Sequence, residues 1–520
     1  MMLALAAGLA PCAEGRARAA PHAAPGSLQL PDGFRDSLIV GGLAQPVGMA
    51  FLPDGRLLVV EQKTARIRLV DGHAVTATLL TVPQVRTTGH EQGLLGIAVD
   101  PDWPARPFVY VHCDDAVSAT LRITRYDVTG DLAGVGDRLL AIDPTSRRDI
   151  LTGVPDAQSN HNGGTLRFGT DGMLYASFGE DAVECAAQDT TTLRGVIVRL
   201  DVSGVPPGGG PAPSLAAITP ADNPLAGHAD PRARLIWAWG LRNPFRFQVD
   251  AADGALFVAD VGQETYEELN LLAGGGANCG WPRFEGFADW NLGCALAGPH
   301  VPPIHAYDRT FIPGASVIAA AIYRGPPCVP EDTCGFGPDY EGDAFYSDYG
   351  GGFLRRLERS GAAWAPAAPV PGQPSAEDWG RGFEAVSDFA LAADGSLWLC
   401  RQAVAFAPSS GEIRAIVREG GGSGPIPAPE VSFAAPRPTP AAGAVSFDVV
   451  LARPGRVRLE IFDLRGARVA TVWEDDLAAG ARTLVWDGRV GDGRRARAGV
   501  YVARLAALGR VLARRVVRVP

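Results

Sequence analysis

Short runs in which apolar and polar residues alternate, each broken at Asp-Gly, recur along most of the chain. MAFLPDGRLLVVEQ from Met49, LRFGTDGMLYASFGED from Leu166, FQVDAADGALFVADVG from Phe247 and FALAADGSLWLC from Phe389 share this pattern, with IAVDPDWPARPFVYVHC from Ile97 as a looser copy. Asp-Gly supplies the positive-φ positions of a tight hairpin turn, and the alternation on either side gives each strand a core-facing side. Helical periodicity is nearly absent. Hairpins repeated at irregular spacing and separated by long insertions predict propeller blades rather than a solenoid, and residues 30 to 420 at roughly 65 per blade give six.

From Gly420 to Pro440 the pattern stops at GGGSGPIPAPEVSFAAPRPTP, a segment with too few packing side chains to join a core. Beyond it, short alternating runs such as VRLEIFDLRGARVATVW and GVYVARLAAL are separated by turn signals, the pattern of a small immunoglobulin-like β-sandwich. The predicted fold class is therefore all-β: a six-bladed β-propeller over 27–419, a linker over 420–440 and the sandwich over 441–520.

Composition narrows this. With 520 residues, 47% hydrophobic and 20% charged, the chain is too long for one small domain and too apolar for wholesale disorder. Charge is split. From Val431 to Pro520 there are 16 Arg against 8 Asp or Glu; since the whole chain carries −10, residues 1–430 carry −18. An acidic body repels phosphate backbones, which argues against nucleic acid as a partner. No apolar run of 18 residues occurs outside the extreme N-terminus, so no transmembrane segment is predicted. Residues 1–26 open on MMLALAAGLA and read as a signal or leader segment, which places the mature protein outside the cell, in the periplasm or at the cell envelope.

Without that segment seven cysteines remain, so at least one thiol is unpaired. Cys328 and Cys334 share a turn-rich loop, and Cys279 and Cys294 bracket a Gly/Trp-rich one. Two local disulfides are expected, with reduced, buried cysteines as the alternative.

Four stretches carry candidate chemistry. SNHNGG sets His161 on a turn where backbone approaches a ligand closely, a place for a general base or for a turn histidine held by its Asn neighbours. In IWAWGLRNPFRFQVD, Arg242 and Asn243 end an apolar strand and can both face an oxygen-rich ligand. After Ala259, the carboxylates of Asp260, Glu264, Glu267 and Glu268 and nearby carbonyls are hard oxygen donors suited to Ca²⁺. His90, Glu91 and Gln92 precede a buried strand at a loop position.

Taken in order, QPVGMAFLPDGRLLVVEQ, EQGLLGIAVDPDW, HNGGTLRFGTDGMLY, AWGLRNPFRF, DVGQETYEELN and NCGWPRFEG resemble the glucose/sorbosone dehydrogenase family, which includes soluble pyrroloquinoline quinone (PQQ) sugar dehydrogenases and a hedgehog-interacting-protein-like branch. The tail resembles the Ig-like domain of flagellar hook-capping proteins. The resemblance implies a six-bladed propeller with PQQ and Ca²⁺ as cofactors and an aldose or related hydroxyl compound as substrate. It implies that His161 is the general base for the sugar C1 hydroxyl, that Arg242 and Asn243 contact the quinone oxygens, and that the Gly262 and Gln263 carbonyls hold Ca²⁺. It further implies a substrate contact at Glu91 and an acidic partner, Glu180, that orients the histidine.

The chain also departs from the pattern. The resemblance implies two arginines and a lysine that clamp the quinone carboxylates, yet Ala385 and Ser387 stand where the arginines would fall, and the only lysine, Lys63, lies in the first predicted blade. Arg381 is the nearest substitute. Two functions therefore stand side by side: a secreted PQQ- and calcium-dependent oxidoreductase, or a non-catalytic propeller that binds a glycan or protein ligand, with the tail making a cell-envelope or secretion-machinery contact.

Overall fold

The computed structural model describes residues 28–519 apart from 292, 326–334, 362, 404–408, 420–430, 434–435, 437–440, 452–453, 464–466, 479, 492 and 508–509. The leader, Cys12, Cys328, Cys334 and most of the linker lie outside the described residues.

Each Asp-Gly hairpin forms where its sequence predicts one. At the first, Gly55 has φ of +84°, which joins Pro46–Phe51 to Leu57–Glu61. Among the described residues up to Arg418, six sheets of four or five strands follow one another, beginning at Pro46, Leu94, Leu166, Arg246, Val317 and Val386; their strand pairings are antiparallel except the short one of Ala277–Asn278 with Ile236–Trp239. The first strands of successive sheets touch in a closed ring, the arrangement of a propeller. The N-terminal strand Phe34–Leu43 closes it by pairing with Gly411–Arg418 of the last sheet.

Alternation underestimates burial. Leu57–Glu61, Leu174–Phe178 and Leu256–Asp260 are buried at every position, because each sheet is packed between two neighbours and neither face meets water.

At the ring's centre Arg246 is 1% exposed. Its guanidinium donates to the carbonyls of Ser387 (2.7 Å), Val47 (2.5 Å) and Leu95 (3.2 Å), each on the first strand of another sheet. Asp388, paired with Arg167 at 2.6 Å, lies beside it. A fully desolvated charge is tolerated because carbonyls and a carboxylate surround it.

The tail forms two sheets, Val431–Phe433, Val445–Leu451 and Gly480–Trp486 in one and Arg468–Leu477, Gly455–Asp463, Gly499–Ala507 and Arg510–Arg518 in the other. Phe433, Phe447, Leu459 and Trp486 contribute to a core drawn only from this tail.

Candidate functional site

One cavity of about 440 Å³ opens among the loops and is lined by Glu91, His161, Arg242, Asn243, Gly262 and Gln263. These six and His90, all singled out from sequence, thus meet in one place although they come from the loops of three different sheets, whereas Gln92, Glu180, Asp260, Glu264, Glu267 and Glu268 do not line it.

His161 stands on its turn with φ of +62°, in the left-handed region that a non-glycine residue rarely takes. Its backbone N–H donates to Glu91 Oε2 at 2.9 Å. Its Nδ1 lies 2.7 Å from Glu180 Oε1, so Nε2 is the ring nitrogen left for a ligand. The following Gly163 has no room for a side chain, since a Cβ there would sit 2.7 Å from the Ser177 carbonyl. Asn162 turns away from the cavity and donates to Asp156 at 2.6 Å. The Asn neighbours therefore do not satisfy the imidazole.

Arg242 and Asn243 are held from behind by Asp260, whose carboxylate accepts both backbone N–H groups, at 2.9 and 2.7 Å. Burial pushes the Asp260 carboxyl up to about 7. The Asn243 side chain bridges Glu91 Oε2 (3.2 Å) and the Gly163 N–H (3.0 Å), tying the three loops together. The Arg242 guanidinium donates to the Val261 carbonyl (2.9 Å) and to Gln263 Oε1 (3.0 Å from Nε), and lies over the Trp281 ring. Burial pulls its pKa down from the usual arginine value, while Glu180 and Asp260 oppose that shift.

The expected Ca²⁺ site is where structure and expectation part. Arg309 donates through Nη1 to the carbonyls of both Gly262 and Gln263, the second at 2.6 Å, and its Nε pairs with Glu267 at 2.7 Å. Of the other carboxylates, Asp260 serves the Arg242–Asn243 backbone and Glu268 accepts the Gly286 N–H at 2.5 Å. Glu264 contributes its N–H, at 2.7 Å, to Glu285, whose Oε1 also gathers the N–H groups of Gln263 and Thr265. Among the described residues no three His, Cys, Asp or Glu side chains gather to hold a metal ion. The residues present therefore do not fit Ca²⁺: its two carbonyls already face a cation.

The fit to PQQ divides in two. Arg242, Asn243 and His161 line the cavity, two amide and guanidinium donors and an imidazole whose chemistry suits the carbonyl end of a quinone. The wall that would hold carboxylates is neutral instead. Tyr349 OH donates to Gln402 Oε1 (2.8 Å), Gln402 Nε2 to Gln62 Oε1 (2.8 Å), and Gln62 Nε2 to the Glu91 carbonyl (2.5 Å). Ala385 and Ser387 are buried, and the Ser387 hydroxyl faces main-chain carbonyls of Pro46 and Cys400. Arg381, half exposed and paired with Asp378, is not among the residues lining the cavity and does not substitute for the missing arginines. Lys63 instead staples the loop before Glu91, donating to the Gly89 carbonyl at 2.7 Å. A tricarboxylate would find no counter-charge on that wall, so the set does not fit PQQ as a whole.

One disulfide differs from expectation: Cys294 bonds Cys185, with Cα atoms 5.5 Å apart, while Cys279 is a buried free thiol, as are Cys113 and Cys400. Cys279 follows a strand that pairs with Ile236–Trp239 and points into the core, whereas Asn291 and Ala297 are drawn to the 184–188 turn by bonds to Glu184 (2.9 Å) and Gln188 (2.8 Å).

Arg309, Gln62, Tyr349 and Gln402 went unnoticed in the sequence. Arg309, Tyr349 and Gln402 lie outside the repeated motifs, and Gln62 merely ends the first of them, so only their arrival in the cavity reveals them.

Comparison with known proteins supports the likeness. The family model described as Glucose / Sorbosone dehydrogenase matches residues 43–345. An HIPL1 protein of Arabidopsis thaliana is 38% identical over 159 residues, 28% of this chain and 21% of that protein. An aldose sugar dehydrogenase of Escherichia coli (strain K12) is 28% identical over 255 residues, 48% of this chain and 61% of that one. The matched region thus spans less than two thirds of either relative. Among solved structures, the PQQ-bound aldose sugar dehydrogenase of Streptomyces coelicolor superposes with a TM-score of 0.54 at 26% identity, covering 75% of this chain and 99% of that one.

Proposed function

The chain belongs to the glucose/sorbosone dehydrogenase family, and from that premise we propose that it is an exported oxidoreductase acting on an aldose or a related hydroxyl compound, with His161 as general base. The observation that carries this is the His161–Glu180 contact of 2.7 Å at the edge of a cavity also lined by Glu91, Arg242 and Asn243.

The chain's own part is the proton. Nε2 of His161 takes it from the C1 hydroxyl, and the Glu180 carboxylate steadies the imidazolium that forms. Glu91, whose Oε2 already accepts from His161 and Asn243, offers Oε1 to a second sugar hydroxyl. Arg242 and Asn243 present donors to an electron-accepting carbonyl. As the C1 carbonyl forms, the hydrogen on C1 leaves with its electron pair to a separate acceptor, because no side chain lining the cavity takes a hydride. PQQ is bound in the Streptomyces structure, but only its carbonyl end suits these residues.

The Cys185–Cys294 bond supports export to an oxidising compartment. The tail then serves as an Ig-like module for envelope contact.

The neutral wall of Gln62, Tyr349 and Gln402 favours a second reading, a non-catalytic propeller that binds a neutral sugar or glycan. A dye-linked assay over an aldose panel, with PQQ supplied, separates the two. Turnover that His161→Ala abolishes supports the enzyme; sugars that bind by calorimetry without any turnover support the binding module.

A further inference from the structure

We propose that Arg309 is a built-in cation that stands where a divalent ion would otherwise sit, so that this cavity works without calcium. The inference deepens the proposed function, since it concerns the same site, but its evidence is local. Consecutive carbonyls at Gly262 and Gln263 converge on a single point, and converging carbonyl dipoles call for positive charge there. The fold supplies it from the neighbouring strand. His305–Asp308 pairs with Tyr266–Leu272, and the Arg309 N–H donates to the Thr265 carbonyl at 2.9 Å, which sets its side chain across the 262–263 loop.

The guanidinium is well matched to the place. Nη1 donates to the two carbonyls and Nη2 to the Ala315 carbonyl at 2.8 Å, while Nε lies 2.7 Å from the buried Glu267 carboxyl as an ion-pair contact. Glu267 is also fixed by the Val317 N–H at 3.0 Å, so the carboxyl that lies against Arg309 is itself rigid. A planar fork of donors meeting several acceptors is what arginine does better than a lysine ammonium. A Ca²⁺ ion takes its oxygens at about 2.3–2.6 Å. On these two carbonyls it would have to displace the guanidinium or lie against it, like charge beside like. Arg309 also lines the cavity with Arg242, so a ligand oxygen entering there meets two fixed, singly charged cations and no exchangeable metal.

The test is metal binding, read without any substrate. Metal-stripped protein should show no saturable Ca²⁺ uptake by calorimetry up to about 1 mM, the weak end of protein calcium sites, and neither Ca²⁺ nor EDTA should move its melting temperature. Arg309→Ala releases two carbonyls and the Glu267 carboxylate together, an oxygen set for a hard cation, and should acquire one saturable Ca²⁺ site. Arg309→Gln provides the same test if the alanine variant does not fold. One equivalent of Ca²⁺ taken up by the native protein overturns the inference, as does a folded Arg309 variant that takes up none. A protein that oxidises no sugar leaves it standing, whereas an active but calcium-dependent enzyme removes it and leaves the function.

Discussion

The 2.7 Å contact between His161 Nδ1 and Glu180 Oε1 is fixed from both ends. Glu180 Oε2 accepts the Val183 N–H at 2.6 Å, and the Glu180 N–H donates to the Arg242 carbonyl at 2.9 Å, so the carboxylate is locked before any ligand arrives. The ring is thereby oriented, with Nε2 as the nitrogen left for a ligand.

His161→Ala should lower turnover by roughly 10² to 10⁴-fold, the usual worth of a positioned proton acceptor. Glu180→Gln should cost less, because it removes the charge but keeps a hydrogen-bonding partner. Steady-state rates checked beside melting curves separate chemistry from folding; equal losses of both would make the pair structural.

Gln402→Arg would put a guanidinium on the neutral wall. A charge-assisted bond of about 1.5–3 kcal/mol should tighten PQQ binding roughly ten- to a hundred-fold, offset in part by the lost bonds to Gln62 and Tyr349. Fluorescence titration would show it, and unchanged affinity would mean that the quinone's carboxylates do not face that wall.

Unreduced peptide mapping should find Cys185 joined to Cys294 and Cys279 free. The bond closes a loop across 109 positions. Replacing both partners with Ala should therefore cost about 2–4 kcal/mol, measured by denaturant unfolding.

Burial, then the neighbouring Asp156, pushes the Asp114 carboxyl up to about 9 from 3.8. Between those values the folded protein holds a proton that the unfolded chain has released, so this group's contribution to stability falls as pH rises from about 4 to 9. Asp114→Asn imitates the protonated acid and should flatten the decline in melting temperature across that range. A variant whose decline is as steep as the native one would show that Asp114 titrates normally.

Local signals with few solutions were legible in the sequence. Asp-Gly between alternating runs admits little but a hairpin, and a row of hairpins admits few architectures, so the sheets from Pro46 to Arg418 could be anticipated. His161 stood out because SNHNGG marks a turn just ahead of a strand, and the Arg242–Asn243 pair because it ends a strongly apolar one. Arg309 did not, since its meaning depends on which carbonyls the partner strand brings opposite it. The pairing of Cys294 was hidden for the same reason: nearness along the chain favoured Cys279, and only the folded loops bring Cys185 close.

Arg246 carries one more consequence. Its guanidinium binds carbonyls across the axis of the ring, and Phe245, stacked 3.9 Å from it, lines the cavity above. The chamber thus ends blind at that level. In the oxidoreductase proposed above, an electron donor and its acceptor reaching this cavity would either lie together in about 440 Å³ or take turns. An acceptor retained inside would leave the sugar to come and go alone, giving parallel double-reciprocal plots once an external dye collects the electrons. An acceptor as mobile as the sugar would compete with it, and each would inhibit at high concentration.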